Sequence, residues 1–556
     1  MRQKDKGRHT ATTPDRLTRF RLGDLLRAFK DFRVILLPFV LLLCALLINK
    51  GTLRFVPALW LLIPIVLAVS LWRVRAVAFD KSTIRLWQFI GFYSAIYSLL
   101  HYPLLPIAQH DALHIGLYAL LLSMWVLSLA AGALCFWVPS LSVLPPSFLV
   151  WSNTMAGIIA GLPTTTYLDV QPLPEIALCI AFGLLIIRLY PRFQTSAEGS
   201  AAVAKFAALL PILAIVIHLA NYFWSFMAKM RLHGPFGAWL TKNNPAYIYL
   251  VALDDGHILF SGLPAIVRYV FVLTDKFHPI TNFLILTAQC AALVILLFPK
   301  RALIWLLLFF DVMHLGILFI AGANFWPWII LNVIITLVVA SRDFQLPPRN
   351  LRLIAMGFMV VSPLFVAVAR LGWFDTGANN KIFFLAVDES GKRHDVPANY
   401  FTFYSYSFGH MDYGAPDPDR AFATQSPNGG TADYGMFQAG RNCRVAELVR
   451  SGTYKRFDAG GLSTFIRNYH SLAMDFISTI GTFPYDFYPH HFYSPRSATA
   501  DFLDLDKRRI VAYIYRMESV CLTFDSVGGL RRKLVNAAEF RIDLTPGAGE
   551  GRAGSK

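Results

Sequence analysis

Between Val203 and Met230 the chain reads Val-Ala-Lys-Phe-Ala-Ala-Leu-Leu-Pro-Ile-Leu-Ala-Ile-Val-Ile-His-Leu-Ala-Asn-Tyr-Phe-Trp-Ser-Phe-Met-Ala-Lys-Met. From Phe206 to Ala228 there is no Lys, Arg, Asp or Glu. A helix needs about 20 mostly apolar residues to cross a bilayer's hydrocarbon layer, and 203–228 is long enough. The rest of the chain repeats this pattern. Similar runs lie near 34–49, 55–72, 84–106, 113–137, 143–162, 174–190, 279–298, 302–321, 325–340 and 352–372, giving eleven expected spans with 203–228. Leu259–Asp275 is also apolar, but it contains Pro264 and Arg268 and is expected at the interface or as a re-entrant piece.

Composition agrees. Of 556 residues, 56% are hydrophobic and only 15% charged, against roughly 25% in soluble globular chains. The net charge of +17 suggests nucleic acid until it is divided along the chain. Met1–Phe374 holds 30 basic and 14 acidic residues, whereas Asp375–Lys556 holds 21 and 20. The excess therefore belongs to the apolar part, where it marks topology, and no nucleic-acid partner is expected. The first 33 residues carry ten basic and four acidic residues and are expected in the cytoplasm. They do not read as a signal peptide, because the charge run is too long and no small-residue cleavage site follows.

Counted alternately, the inside segments hold Arg73, Arg75, Lys81 and Arg85, then Arg188, Arg192 and Lys205, then Lys300 and Arg301, then Arg342, Arg349 and Arg352. The outside loops at 107–112, 163–173 and 322–324 hold no Lys or Arg; Lys50, Arg54 and scattered cations in 229–278 are exceptions. The expected fold is a polytopic α-helical membrane protein of about 11 transmembrane helices with a C-terminal α+β extracytoplasmic domain. Its parts are a basic cytoplasmic N-terminus (1–33), a helical domain (34–372), an exported domain (373–545) and a disordered tail (546–556). A bacterial inner membrane is the expected location.

Ionisable residues at membrane depth are costly and usually mark function or a paired contact. His218, Tyr222, Ser225 and Lys229 are spaced 4, 3 and 4 apart and share one helix face. Asp311 and His314 are i,i+3 neighbours on another helix. His110 and His114 lie at the start of the fourth span, and all these groups converge on the outer leaflet. Plainer readings stand beside this one. Lys229 could snorkel to the interface, and Asp311 with His314 could be a structural pair joining helices. Clustering favours function, because a lysine kept from water beside histidines can abstract a proton.

Two stretches carry a resemblance. Asn221-Tyr222-Phe223-Trp224-Ser225-Phe226-Met227-Ala228-Lys229-Met230, followed by Trp239, resembles the aromatic-small-Lys segment of the vitamin K-dependent gamma-carboxylase and its bacterial relatives, the horizontally transferred transmembrane (HTTM) family. Asp311-Val312-Met313-His314-Leu315-Gly316, then Phe325-Trp326-Pro327-Trp328, resembles that family's later His-Leu-Gly and Phe-Pro helix pair. The resemblance covers roughly 200–340. It implies a lyase-type membrane enzyme with Lys229 as the base that deprotonates reduced vitamin K or another quinol. It implies lining roles for His314 and Trp326, and it leaves His110 and His114 as candidates for the family's other catalytic histidine. Lys229, His314 and Asp311 are the expected catalytic residues, and His218, Tyr222, Ser225, His110, His114 and Trp326 the expected substrate- or cofactor-binding ones, with His314 or His218 hydrogen-bonding the quinol. The family's propeptide-binding region has no recognisable counterpart.

In the exported domain, 380–396 reads as strand, Gly-containing turn and strand, Ala459–Ile480 as helix and Arg509–Phe524 as strand. Cys443 and Cys521 are its only cysteines, and an oxidising compartment would permit a disulfide between them. No metal is expected: His490 and His491, with Asp486 and Tyr488, read as loop packing in preference to an ion site. No Walker, GxSxG or dinucleotide fingerprint occurs, so neither ATP nor NAD is expected. Expected partners are membrane lipids, a lipophilic quinol or an exported protein substrate. The competing readings are a non-catalytic scaffold, a transporter, or a polyprenyl-linked glycosyltransferase using Asp254-Asp255.

Overall fold

A computed structural model describes residues 22–55, 61–72, 80–100, 112–159, 170–193, 196–402, 404–426, 428–450, 453–454, 456–481, 483, 500–525 and 529–544. Helix occurs in each of the eleven apolar stretches. In chain order these and two short helices between the seventh and eighth of them are α1 (Leu22–Phe55), α2 (Leu62–Ser70), α3 (Lys81–Leu100), α4 (Ala112–Leu134), α5 (Leu144–Ile159), α6 (Pro172–Phe193), α7 (Ala197–Met230), α8 (Ala238–Lys242), α9 (Ala246–Asp254), α10 (Pro264–Val294), α11 (Lys300–Ala321), α12 (Trp326–Ala340) and α13 (Arg349–Val361). Among the described residues, five segments are long and apolar enough to cross a membrane: Phe32–Thr52, Pro172–Tyr190, Ala197–Met230, Pro264–Leu297 and Lys300–Ala321.

The stretch that opens the sequence is the central post. Ser196 caps α7 by accepting a hydrogen bond from Gly199 N at 3.1 Å, and every side chain from Leu209 to Phe223 is buried. A helix apolar on all sides must be enclosed by others. The peripheral helices instead leave large apolar side chains exposed, among them Val69, Tyr269, Phe283, Trp305 and Val312. Those faces suit lipid tails and would be unfavourable in water.

Two spans differ from expectation. Leu259–Asp275 does not stand apart from the next apolar stretch, because Pro264 begins the single helix α10, which continues to Val294. Proline suits the first helical turn, where its missing N–H is not needed. At 1.5 Å per residue, the 31 residues of α10 extend about 46 Å, longer than the roughly 30 Å hydrocarbon layer. The last span also stops short of Gly372. Helix α13 ends at Val361, a single 3-10 turn covers Ser362–Leu364, and the backbone then runs to Asp375 as a strap. Lys50, an exception to the charge rule, is consumed here: its Nζ donates to Pro363 O at 2.7 Å and Val366 O at 3.3 Å.

The bundle has two distinct ends. At one, Arg85 pairs with Asp343 at 2.7 Å, Lys300 donates to Ser341 O at 2.9 Å, and Arg352 donates to Leu296 O at 2.7 Å. At the other lies the C-terminal domain. Its main sheet runs β3 (Arg393–Asp395), β2 (Ala378–Asp388), β5 (Ile510–Asp525) and β6 (Gly529–Asp543), all antiparallel. The strap ends in β1 (Phe374–Asp375), paired with β4 (Gly430–Thr431). Helix α14 (Tyr434–Arg441) follows, and α15 (Ala459–Ile480) carries Phe465 and Tyr469 into an aromatic core with Tyr400, Tyr404 and Tyr515. The strand, turn and helix expectations for this region hold, and Cys443 is bonded to Cys521. The domain is docked on the bundle: Phe524 stacks on Phe271 of α10 at 4.1 Å, and Arg532 meets Asp254 at 2.8 Å.

Candidate functional site

The α7 stripe His218, Tyr222, Ser225 and Lys229 forms, but its two halves meet different partners. The deeper half faces α11 and α12. Asn332 of α12 is the hub: its Nδ2 donates to Asp311 Oδ1 at 2.7 Å and to Tyr222 OH at 3.2 Å. Its Oδ1 lies 2.7 Å from His218 Nε2. A carboxylate only accepts, so Asp311 fixes which way the amide faces, and the amide oxygen then requires a proton on His218 Nε2. In the neutral imidazole the lone pair is left on Nδ1. That Nδ1 is buried and has no hydrogen-bond partner among the described residues; the same holds for His314 Nδ1.

Aromatic rings enclose this network. Tyr222 stacks on Phe310 at 3.6 Å with planes 4° apart, and His314 lies against Phe325 at 5.4 Å and Trp328 at 6.0 Å. Trp326 sits one layer out, stacked on Tyr97 at 5.1 Å. Helix rows i, i+3 and i+4 bring these rings to one seam. An apolar wall with few convergent polar groups is the usual form of a small-molecule site.

The half of the stripe nearer the C-terminal end of α7 holds the strap. Asn221 Oδ1 accepts from Ala369 N at 2.7 Å, Ser225 Oγ accepts from Leu371 N at 3.2 Å, and Lys229 Nζ donates to Leu371 O at 2.7 Å. Glu175 of α6 accepts from Ala367 N at 2.6 Å. Such bonds supply partners to backbone groups that have left the helix. Lys229 also lies 5.2 Å from the Trp239 ring, whose Nε1 donates to Trp373 O at 2.8 Å. Asp375 closes the joint, accepting from Asn243 Nδ2 at 2.8 Å and Trp373 Nε1 at 3.0 Å. Burial pushes its carboxyl up to about 6, opposed by those two donors and the nearby Lys229 charge.

Asp311, His218 and Tyr222 are thus joined through Asn332, with His314 against the same rings. Ser225 and Lys229 of α7 instead bind the strap at Leu371. His110 lies outside the described residues, as do Asp486, Tyr488, His490 and His491. His114 falls in the first turn of α4, and its side chain is not among those described. Among the described residues, no three His, Cys, Asp or Glu side chains gather where a metal could bind. Asp254, half of the acidic pair weighed for a glycosyltransferase, is engaged by Arg532 and stands 3.9 Å from Lys381. Asn332 is absent from the sequence-based expectations, and Asn221 enters them only as the first residue of the Asn221–Met230 segment; an Asn in an otherwise apolar helix is the available signal. No protein-family model, curated protein or solved structure matches this chain.

Proposed function

We propose that this protein is an integral membrane enzyme of the gamma-carboxylase and HTTM type, acting on a lipophilic quinol within the helical bundle. The supporting observation is the Asp311–Asn332–His218 relay beside His314, buried among aromatic rings inside apolar helices. A flat ring carrying hydroxyl groups matches this lining: the rings offer stacking surfaces, His218 Nδ1 offers an acceptor, and the unpartnered His314 Nδ1 offers a second polar contact. The quinol would supply ionisable ring hydroxyls and reducing electrons. On the protein side, His218 Nδ1 receives and holds a proton. Asn332 keeps Nε2 occupied, and Asp311 provides the negative charge that stabilises the resulting imidazolium. Lys229, the base implied by the resemblance, has its ammonium turned to Leu371 O and Trp239; in this reading it secures the roof of the site.

The reading includes eleven crossings, with the N-terminus in the cytoplasm and the C-terminal domain outside. It is supported by helix in all eleven stretches and by the basic loops meeting at the end away from the domain. A bacterial inner membrane and an exported substrate complete it.

The test is oxygen-dependent oxidation of a reduced naphthoquinone by the protein in nanodiscs. Wild type should consume quinol, whereas His218→Phe and Asp311→Asn should fall by about 100-fold or more, as for loss of a general base or its charge partner. Wild type indistinguishable from empty nanodiscs would remove the enzyme reading and leave a non-catalytic membrane scaffold.

A further inference from the structure

At the end of the bundle bearing the C-terminal domain, the Trp224 ring is shared by two cations. Arg231, which follows the last residue of α7, and Arg370 of the strap each place their guanidinium carbon 5.4 Å from its centroid. The two carbons therefore lie within about 11 Å of each other by the triangle rule, each in the range of a cation–π contact. The ring itself is fixed, because Trp224 Nε1 donates to Met359 O at 3.1 Å. Both arginines are exposed, and neither forms an ion pair among the described residues. Two buried-side cations at this end are already engaged within the protein: Lys50 holds Pro363 O and Val366 O, and Lys229 holds Leu371 O. Two neighbouring guanidiniums repel, and a bidentate oxyanion relieves that repulsion.

The surface next to the pair identifies the anion's carrier. Met359 belongs to the last turns of α13, whose next residues Val360 and Val361, with Leu364 beyond them, are 44%, 41% and 64% exposed. An apolar strip of that kind suits acyl chains, and a Trp at the end of a span marks headgroup depth. We propose that Arg231 and Arg370 clamp the phosphate of an anionic phospholipid whose acyl chains lie along Val360, Val361 and Leu364. The clamp joins α7 to the strap, so a bound lipid stabilises the joint between bundle and domain. It does not depend on the quinol reading.

The experiment uses the full chain in nonionic detergent with dioleoyl phosphatidylglycerol, dioleoyl phosphatidylcholine or inorganic phosphate, reading lipid retained per chain and the unfolding midpoint. Phosphatidylglycerol should be retained and should raise the midpoint, and retention should fall as salt is added. Arg231→Gln with Arg370→Gln should weaken retention about tenfold or more, and Arg231→Lys with Arg370→Lys should recover part of it. Both side chains are exposed, so the unliganded midpoint should stay near that of wild type. Equal retention by wild type and the double Gln variant would overturn the clamp. The same rise with inorganic phosphate alone would overturn the lipid assignment in favour of a simple ion site. Equal retention of phosphatidylcholine would overturn the requirement for an anionic headgroup.

Discussion

The amide of Asn332 stands between Asp311 and His218, donating to Asp311 Oδ1 and accepting from His218 Nε2, each at 2.7 Å. One carboxylate thereby determines, through one amide, which imidazole nitrogen of another helix is bare. In Asn332→Leu the carboxylate loses its donor and the histidine its acceptor. Leaving such groups buried and unpaired should cost about 2–4 kcal/mol in detergent unfolding. Nitrogen-15 spectra of labelled histidine should show His218 protonated at Nε2 in wild type and a mixture of tautomers in the variant. Protonation at Nδ1 in wild type would sink the assignment.

Lys229 provides a sharper separation of roles. A base must lose its proton, which arginine does not do in proteins, whereas a strap anchor needs only a donor. Lys229→Arg should retain most quinol oxidation and leave the strap protected from hydrogen exchange. Lys229→Met should lose the bond to Leu371 O, and amides 366–375 should exchange about tenfold faster or more, as for loss of one charge-assisted hydrogen bond. Inactivity of Lys229→Arg with normal strap protection would return the base to Lys229.

These roles mark where the sequence stops being informative. Runs of apolar residues located helix in all eleven segments, because hydrocarbon demands length and continuity whatever the packing. The strap was hidden for the same reason: Phe365-Val-Ala-Val-Ala369 is as apolar as any span, and only Pro363 hinted that the helix had ended. Pro264 acts in the opposite sense, starting a helix where a proline in an apolar run suggests a break. The stripe from His218 to Lys229 was legible from helical spacing. Its partners Asn332 and Leu371, 114 and 142 residues away, were not, since local periodicity carries nothing about which element covers a face.

The joint should respond to pH through Asp375. Its carboxyl is raised to about 6 from an ordinary 3.8, so the folded joint favours the protonated form. Stability from this group is fully present below about pH 4 and is lost as pH rises through about 6, by roughly 3 kcal/mol at 1.36 kcal/mol per unit. Hydrogen exchange at 366–375 should therefore quicken between about pH 4 and 6, after correction for intrinsic rates. A corrected rate that is flat or slows over that interval would contradict the raised value.

Export of the domain is tested by its own covalent bond. Cys443 and Cys521 are joined across 78 residues, closing a loop that the unfolded chain must also carry. Loop-closure entropy for that length corresponds to about 4–5 kcal/mol, so the double Ser variant should unfold at markedly lower temperature. Disulfides persist outside the cytoplasm and are reduced within it. In intact cells, then, a membrane-impermeant maleimide should label Cys443 and Cys521 only after a membrane-impermeant reductant has been added. If both thiols are free before reduction, and reactive only once the membrane is permeabilised, the domain is cytoplasmic. With a cytoplasmic N-terminus the number of crossings would then be even, and the polar stripe would open toward the cytoplasm.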